Sequence, residues 1–172
     1  GSDRVLKAMK RLHTIDRYKA KIDKIRSSPR DIALTTDIIV GFPGETREDF
    51  KETVSLFEYC KYDMAYIFKY SPRFGTPSFK MKDDVTPDEK SERFDQLEKV
   101  QKRLQSESLS RYNGRTVSVL AEKVSAKSDA DLSGHTTCHR VVNFKGERDI
   151  LGKIVNVRIT EAKANSLYGE AV

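Results

Sequence analysis

The chain contains little cysteine and no long hydrophobic run. Cys60 and Cys138 are its two cysteines in 172 residues, too few and too isolated for a disulfide framework or a zinc site. No apolar stretch approaches the ~20 residues that a membrane-spanning helix needs, and no secretion signal is recognisable near residue 1. These absences argue against a membrane protein and a disulfide-stapled secreted domain. They predict a cytoplasmic protein with reduced thiols.

Positive charge is concentrated in the first part of the chain. Residues 1–30 hold ten Lys and Arg against three Asp, a balance of +7, whereas the whole chain carries +6. The other 142 residues therefore sum to −1. A basic segment suits the phosphate backbone of a nucleic acid. A solvated helix surface explains the same charge equally well.

The most informative stretch is residues 35–46, where an apolar run ends and a helix begins. The near-continuous apolar run over residues 32–40 predicts a strand covered on both faces. A Gly-Phe-Pro-Gly turn follows at residues 41–44, and the Thr-x-x-Asp pattern from Thr46 predicts a capped amphipathic helix. In α/β proteins ligands bind at such strand ends. Asp37 is therefore a candidate binding residue.

Helical and strand patterns alternate around this stretch. The apolar spacing predicts helices over residues 3–12 and 15–28, a second strand over 62–70 and a long helix over 87–112. Helix, strand, helix, strand at this spacing is typical of parallel βα units. Two such units do not complete a sheet, so we expect an open edge and further strands outside this chain.

The pattern changes near residue 113, where an Asn-Gly pair predicts the end of the long helix. Short segments of alternating apolar and polar residues follow, separated by glycines and polar clusters. This pattern predicts a small antiparallel β-barrel. We therefore divide the chain into residues 1–112, with α/β architecture, and residues 113–172, with β architecture.

Two motifs in the first part resemble a known family. The Asp-x-Ile-x-Gly-x-Pro-Gly pattern of residues 37–44 and the Val-Leu-x-x-Met-x-Arg element of residues 5–11 make residues 1–82 similar to the second half of the radical SAM barrel of methylthiotransferases. The resemblance implies the C-terminal part of a (β/α) partial barrel and S-adenosylmethionine as cofactor. It also implies two [4Fe-4S] clusters in the full-length enzyme, but the Cys-x-x-x-Cys-x-x-Cys motif is absent here. We expect those ligands and the N-terminal part of the enzyme outside this chain, which alone should be inactive.

The last part resembles the TRAM module of the same family. Ser-Gly-His-Thr at residues 133–136, Arg-Val-Val-Asn-Phe at 140–144 and Asn-Ser-Leu at 165–167 carry this similarity over residues 113–172. His135 stands where the family usually has arginine. The resemblance is closest to enzymes that add a methylthio group to isopentenylated adenosine beside the tRNA anticodon. It implies the anticodon stem-loop of tRNA as partner.

The resemblance also implies residues that bind the cofactor. Asp37 would hydrogen-bond polar groups of S-adenosylmethionine, and Ile39 would lie against the adenine. Gly41 would allow close approach of the backbone, while Phe68 and Ser71 would supply a stacking surface and backbone contacts. The alternatives are structural: Asp37 caps a neighbouring loop, and Phe68 belongs to the core.

An RNA-binding surface is predicted from a second set of residues. Arg140, Asn143, Phe144 and Lys153 combine cations, an amide and an aromatic ring, the groups that read single-stranded RNA. Arg73, in the loop after the second strand, is a further candidate for a phosphate or carboxylate contact. The alternative places Phe144 in the barrel core and Arg140 on a surface without a ligand. The module holds nine Lys and Arg against seven Asp and Glu, so charge does not decide between them.

Three other reactive side chains are interpreted structurally. Glu45 is predicted to be an acidic residue in the first turn of a helix. Cys60 is predicted to pack on a helix as a small apolar side chain. His139 stands beside Cys138, but the sequence offers no further ligands for a metal site there.

The sequence is compatible with other functions. Related enzymes modify an aspartate of a ribosomal protein or threonylcarbamoyladenosine, and a non-catalytic RNA-binding module is a third alternative. The ribosomal reading is disfavoured because residues 138–144 lack its Ala-Pro-Glu-Ile-Asp-Gly-like turn. The open barrel edge predicts self-association of the chain or partial disorder of residues 1–80.

Overall fold

The computed structural model describes residues 1–126 and 128–172. It divides them into two compact units, Gly1–Leu104 and Gln105–Val172. Within these described ranges, no helix combines the length and the apolar character needed to cross a membrane.

The first unit alternates helices and strands in the predicted order. Its elements are α1 (Asp3–Ala8), α2 (Ile15–Arg26), β1 (Thr35–Val40), α3 (Arg47–Cys60), β2 (Met64–Lys69), a 3-10 helix (Pro77–Lys80) and α4 (Pro87–Ser110). The first helix is shorter than predicted, and Lys10 just beyond it has a positive φ of 59°. The last six residues of α4 belong to the second unit.

Reciprocal capping boxes begin the two longest helices. Asp49 N donates to Thr46 Oγ1 at 3.2 Å, and Thr46 N donates to Asp49 Oδ2 at 2.8 Å. Glu89 N and Thr86 N make the equivalent pair at the start of α4, at 3.2 and 3.1 Å. Each box satisfies amide groups that the helix leaves without an internal partner. The predicted starts of α3 and α4 are therefore confirmed.

β1 and β2 form a parallel two-stranded sheet, as the βα pattern predicted. Ile38 and Ile67 are paired in register on its half-buried face. Helices α2, α3 and α4 pack on this face, and each contributes buried side chains to the core. These are Ile22, Phe50, Leu56, Phe57, Cys60, Leu97 and Leu104.

The opposite face of the sheet is open, so the prediction of a strand covered on both faces is wrong. Burial alternates along β1, with Thr35, Asp37 and Ile39 exposed and Thr36 and Ile38 half-buried. Helices α2, α3 and α4 pack on the face that carries Ile38 and Ile67. The sequence of a strand rich in β-branched residues does not show whether one or both of its faces are covered by other parts of the protein.

The second unit is a closed five-stranded barrel. Its strands are β3 (Thr116–Ser125), β4 (Ser128–Thr136), β5 (Val141–Lys145), β6 (Ile154–Ala162) and β7 (Leu167–Ala171). They are hydrogen-bonded in the order β3-β4-β5-β7-β6, and β6 closes the barrel on β3. The pairs are antiparallel except β5 with β7, which run parallel.

The barrel interior is filled by alternate residues of its strands. Val142 and Phe144 of β5 are completely buried, whereas Val141 and Lys145 of the same strand point outward. The end of α4 and the turn after it contribute to the same core. The remaining buried members are Leu109, Tyr112, Val119, Ala121, Leu132, Val157, Ile159 and Leu167.

Candidate functional site

Three predicted cofactor contacts lie together on the open face of the β1–β2 sheet. Asp37 is in register with Tyr66, and Ile39 is in register with Phe68. Tyr66 and Phe68 are each 51% exposed, and Ile39 is 43% exposed. The face therefore presents one carboxylate within an apolar and aromatic surface. The sequence analysis missed Tyr66, although it alternates with Phe68 along the same strand.

Asp37 does not stand at the end of its strand. It is the third of the six residues of β1, and Val40 is the last. Its side chain belongs to the exposed face rather than to the turn, which corrects the predicted placement. Ser71 and Arg73 follow the end of β2 and are both exposed.

A cleft of about 330 Å³ lies beside β1. Asp37 and Ile39 line it together with residues of α1 and α2 and the segment between those helices, among them Met9, Arg11 and Tyr18. Its volume is at the lower end of the range typical of small-molecule sites. Two of the predicted cofactor contacts are thus part of a concave surface.

The turn after β1 is fixed by backbone hydrogen bonding. Glu45 N donates to the carbonyl oxygen of Phe42 at 2.8 Å. Pro43 occupies the second position of this turn, and Gly44 the third with φ of 77°. This is the residue pattern of a type II turn, in which the third position requires positive φ and favours glycine.

A buried ion pair braces the same turn. Glu45 Oε1 accepts from Arg93 Nη1 at 2.7 Å and from Gly41 N at 3.0 Å, with both charged side chains less than a tenth exposed. Glu45 precedes the helix cap Thr46, so its predicted place in the first helical turn is wrong. Arg93 was not predicted as part of this site. It lies one helical turn before the buried Leu97, on the apolar side of α4, and a cation is unexpected there.

This arrangement limits what Gly41 can do. Its amide is already bonded to Glu45, and its φ of 71° requires a residue that tolerates the left-handed region. A Cβ at this position would overlap the side chain of Lys90. Gly41 therefore lets the turn pack closely on α4. The amide of Gly41 is therefore not free to donate a hydrogen bond to the predicted cofactor.

Asp49 ties the start of α3 to the first residues of the chain. Its carboxylate pairs with the guanidinium of Arg4 and accepts from Ser2 Oγ at 2.6 Å. Arg4 Nη2 also donates to the carbonyl oxygen of Gly44 at 2.6 Å. Burial alone would raise the pKa of Asp49, but its bonds to Arg4, Ser2 and Thr46 hold that pKa well below its usual range.

Two of the predicted RNA contacts are buried in the barrel. Phe144 is 0% exposed, so the core alternative describes it correctly, and it offers no open face to a base. Arg140 is 9% exposed. Its Nε donates to Tyr112 Oη at 3.1 Å, its Nη2 to Ser108 Oγ at 3.2 Å, and its guanidinium lies 4.9 Å from the Tyr112 ring centroid. Both sequence interpretations of Arg140 missed this structural role.

Asn143 and Lys153 are more accessible. Asn143 is half-buried, and its Oδ1 accepts from Ser125 Oγ at 3.2 Å. Lys153 is exposed immediately before β6. Of the predicted barrel contacts, Lys153 is the one whose position suits a phosphate without rearrangement of the core.

An outward row of side chains crosses four barrel strands next to Lys153. Ile154 is in register with Leu120, Leu120 with His135, and His135 with Val141. Ile154 is 74% exposed and Leu120 is 41% exposed. The row is apolar apart from its histidine, a feature that the sequence analysis did not identify.

His135, the histidine of this row, also forms a stacked pair with His139. Its ring lies parallel to that of His139, with centroids 4.3 Å apart and an interplanar angle of 10°. His135 Nδ1 lies 2.7 Å from Glu122 Oε2. A stacked imidazole pair offers a flat surface of the kind on which unpaired bases stack.

Within residues 1–126 and 128–172, no three His, Cys, Asp or Glu residues are arranged to hold a metal ion. Cys60 is 1% exposed, and burial raises the pKa of its thiol, in agreement with its predicted packing role. The described residues thus offer no ligand set for an iron–sulfur cluster.

Comparison with known families gives two matches within the chain. Residues 1–57 match the radical SAM superfamily, and residues 110–172 match the TRAM domain. The first range includes β1 and its turn, and the second contains the closed barrel. The predicted resemblance to both families is therefore confirmed.

Individual relatives extend the similarity to the full chain. The tRNA-2-methylthio-N(6)-dimethylallyladenosine synthase of Acetivibrio thermocellus is 46% identical over all 172 residues, and the chain spans 36% of that relative. The enzyme of the same name from Staphylococcus haemolyticus is 45% identical over 98% of the chain, which spans 33% of its length. The chain thus corresponds to about a third of each of these relatives.

Proposed function

Because this chain combines a radical SAM segment with a TRAM domain, we propose that it is the part of a tRNA methylthiotransferase that supplies one wall of the S-adenosylmethionine site and the tRNA-binding module. The proposed reaction adds a methylthio group to isopentenylated adenosine next to the anticodon. The observation that carries the proposal is the open sheet face, where Asp37, Ile39 and Phe68 lie together in a chain similar throughout to such synthases.

The residues on this face fit the proposed cofactor. The carboxylate of Asp37 can accept hydrogen bonds from the amine or hydroxyl groups of S-adenosylmethionine, and Ile39 and Phe68 offer apolar and aromatic surface to its adenine. Ser71 would add backbone contacts beyond β2. When bound next to a reduced iron–sulfur cluster, S-adenosylmethionine would supply the radical that removes a hydrogen atom from the adenine carbon to be modified. We assign the ligands of both clusters to residues outside this chain.

The barrel is proposed to hold the anticodon stem-loop through its outward surface. Lys153 would contact a phosphate, and the stacked pair of His135 and His139 would support an unpaired base. Arg140 and Phe144 would act indirectly, by holding the barrel together, while Asn143 would contact RNA only after release from Ser125. A tRNA substrate also supports the predicted cytoplasmic location. Self-association through the free edge of β1 remains a prediction.

RNA titrations of the full chain test the barrel role. A labelled anticodon stem-loop should bind with an affinity that falls with salt, and Lys153→Ala should reduce the slope of log K against log[salt] by about 1. The physical reason is that one fewer counterion is released when one phosphate contact is lost. Fluorescence anisotropy at several salt concentrations measures this slope.

Lys145→Ala is the matched control. Lys145 Nζ already pairs with Glu170 at 3.3 Å, so its removal should leave the slope close to that of the wild type. An identical slope for the wild type and Lys153→Ala would remove Lys153 from the RNA surface. The absence of any salt-dependent binding by the wild type would contradict the RNA role of the chain.

A further inference from the structure

A second aromatic surface, formed by Phe74 and Phe79, lies in residues 71–82 after β2. Phe74 is 91% exposed and Phe79 is 48% exposed. Their rings meet edge to face, with centroids 5.6 Å apart and an interplanar angle of 79°. Met81, 39% exposed, follows closely in the chain. Large apolar side chains grouped on a surface in this way mark an interaction site.

The segment that carries these rings is held by its own hydrogen bonds. Thr76 donates to the carbonyl oxygen of Arg73 from both N and Oγ1, at 3.2 and 2.7 Å. Phe79 N donates to Thr76 O at 3.1 Å. Tyr70 Oη donates to Ser78 O at 3.0 Å and thereby anchors the 3-10 helix to the end of β2. The aromatic pair is therefore presented on a preformed scaffold, which lowers the entropic cost of binding.

The charge of the segment indicates what it binds. Residues 71–82 contain Arg73, Lys80 and Lys82 and no acidic residue. The two acids that follow are engaged with other groups: Asp83 with Lys90 Nζ at 2.6 Å, and Asp84 with Gly44 N at 2.6 Å. Cations that flank exposed aromatic rings are the combination that binds single-stranded nucleic acid, with charges on phosphates and rings on bases.

We propose that residues 71–82 form a nucleotide clamp for single-stranded RNA. The open face of Phe74 stacks on one unpaired base, the edge-to-face contact between Phe74 and Phe79 fixes the Phe74 ring, and Arg73 and Lys80 contact the flanking phosphates. This inference rests on the proposed function and deepens it, because it gives the first unit its own RNA contact in addition to the barrel surface.

Phe74→Ala in the full chain tests the clamp. Because the side chain is 91% exposed, the substitution should leave folding unchanged, which circular dichroism checks. Loss of one base–aromatic stack should weaken binding of an anticodon stem-loop about tenfold. Phe74→Leu keeps an apolar side chain without the aromatic face, so most of the loss should persist. Leu12→Ala, which removes a side chain that is 96% exposed in the same unit, should change nothing.

Abasic RNA makes the test specific for stacking. Each unpaired loop base is removed in turn from the stem-loop, and binding is measured with the wild type and with Phe74→Ala. At one position the abasic substitution should weaken wild-type binding about tenfold and leave the binding of Phe74→Ala unchanged. Equal losses for the two proteins at every position would overturn the clamp while the Lys153 contact could still hold.

Two further results bear on the occupant of this surface. If the wild type fails to bind the stem-loop at all, the proposed function falls and the clamp falls with it. If Phe74→Ala converts a wild-type dimer to a monomer in analytical ultracentrifugation, the aromatic pair is a contact between copies of the chain and the clamp is wrong.

Discussion

Replacing Glu45 by alanine should lower the free energy of unfolding of the first unit by about 3–5 kcal/mol. The carboxylate is 4% exposed and is bonded to Arg93 and to the amide of Gly41. Its removal leaves the buried guanidinium of Arg93 with only the more distant and more exposed carboxylate of Glu89, 3.9 Å from Nη2, and leaves the amide of Gly41 without its acceptor. Breaking one side of a buried pair costs far more than the pair contributes, because the remaining charge stays out of water.

Native-state hydrogen exchange measures this loss where it occurs. Amides of β1 and α3 should lose protection in Glu45→Ala. Glu48→Ala, which removes an exposed acid from the first turn of α3, should cost under about 0.5 kcal/mol. The double substitution of Glu45 and Arg93 by methionine should cost less than Glu45→Ala, since it leaves no buried charge unpaired. A double variant as unstable as Glu45→Ala would contradict the ion-pair explanation.

Gly134→Ala should destabilise the barrel by about 3 kcal/mol or more. Gly134 lies on β4 opposite Ala121 of β3, next to the point where the register between these strands shifts. A Cβ at this position would overlap the carbonyl oxygen of Leu120 and lie 3.1 Å from Val119 Cγ1. Because the overlap is with the backbone, no side-chain rotation relieves it, and the two strands must separate.

Gly152→Ala is the control that distinguishes the steric overlap expected at position 134 from the strain of a positive φ alone. Gly152 has φ of 80° and open space around its Cβ position, so alanine there should cost only ~1–2 kcal/mol. Thermal unfolding of the full chain compares the two variants through the loss of their β-sheet signal. Equal destabilisation by both substitutions would show that close strand approach is not what requires glycine at position 134.

The order of elements could be predicted from the sequence because it depends on local patterns. The Thr-x-x-Asp box at Thr46, the Thr-Pro start of α4 and the alternation of Val142 and Phe144 are all recorded within a few neighbouring residues. Such patterns encode helix starts and strand faces directly. The resemblance to radical SAM and TRAM families rested on equally local motifs.

Two of the misassigned roles depend on distant partners. Glu45 meets Arg93 48 positions away, and Arg140 meets Tyr112 28 positions away. A single sequence does not show which buried cation pairs with which acidic or aromatic side chain. The open face at Asp37 was missed for a related reason: the residues of β1 specify a strand, while its coverage depends on where the helices pack.

We propose above that the face carrying Asp37 is one wall of an S-adenosylmethionine site. The most direct test replaces the matching residues of the Acetivibrio thermocellus synthase by this chain and follows methylthiolated adenosine in tRNA by mass spectrometry. We predict an active chimera whose turnover falls at least about tenfold with Asp37→Ala, as loss of a charged hydrogen bond requires. Glu52→Ala, on the exposed side of α3, should leave the turnover unchanged. Full activity of the Asp37→Ala chimera, or a cluster-loaded chimera that binds tRNA and leaves it unmodified, would contradict the account.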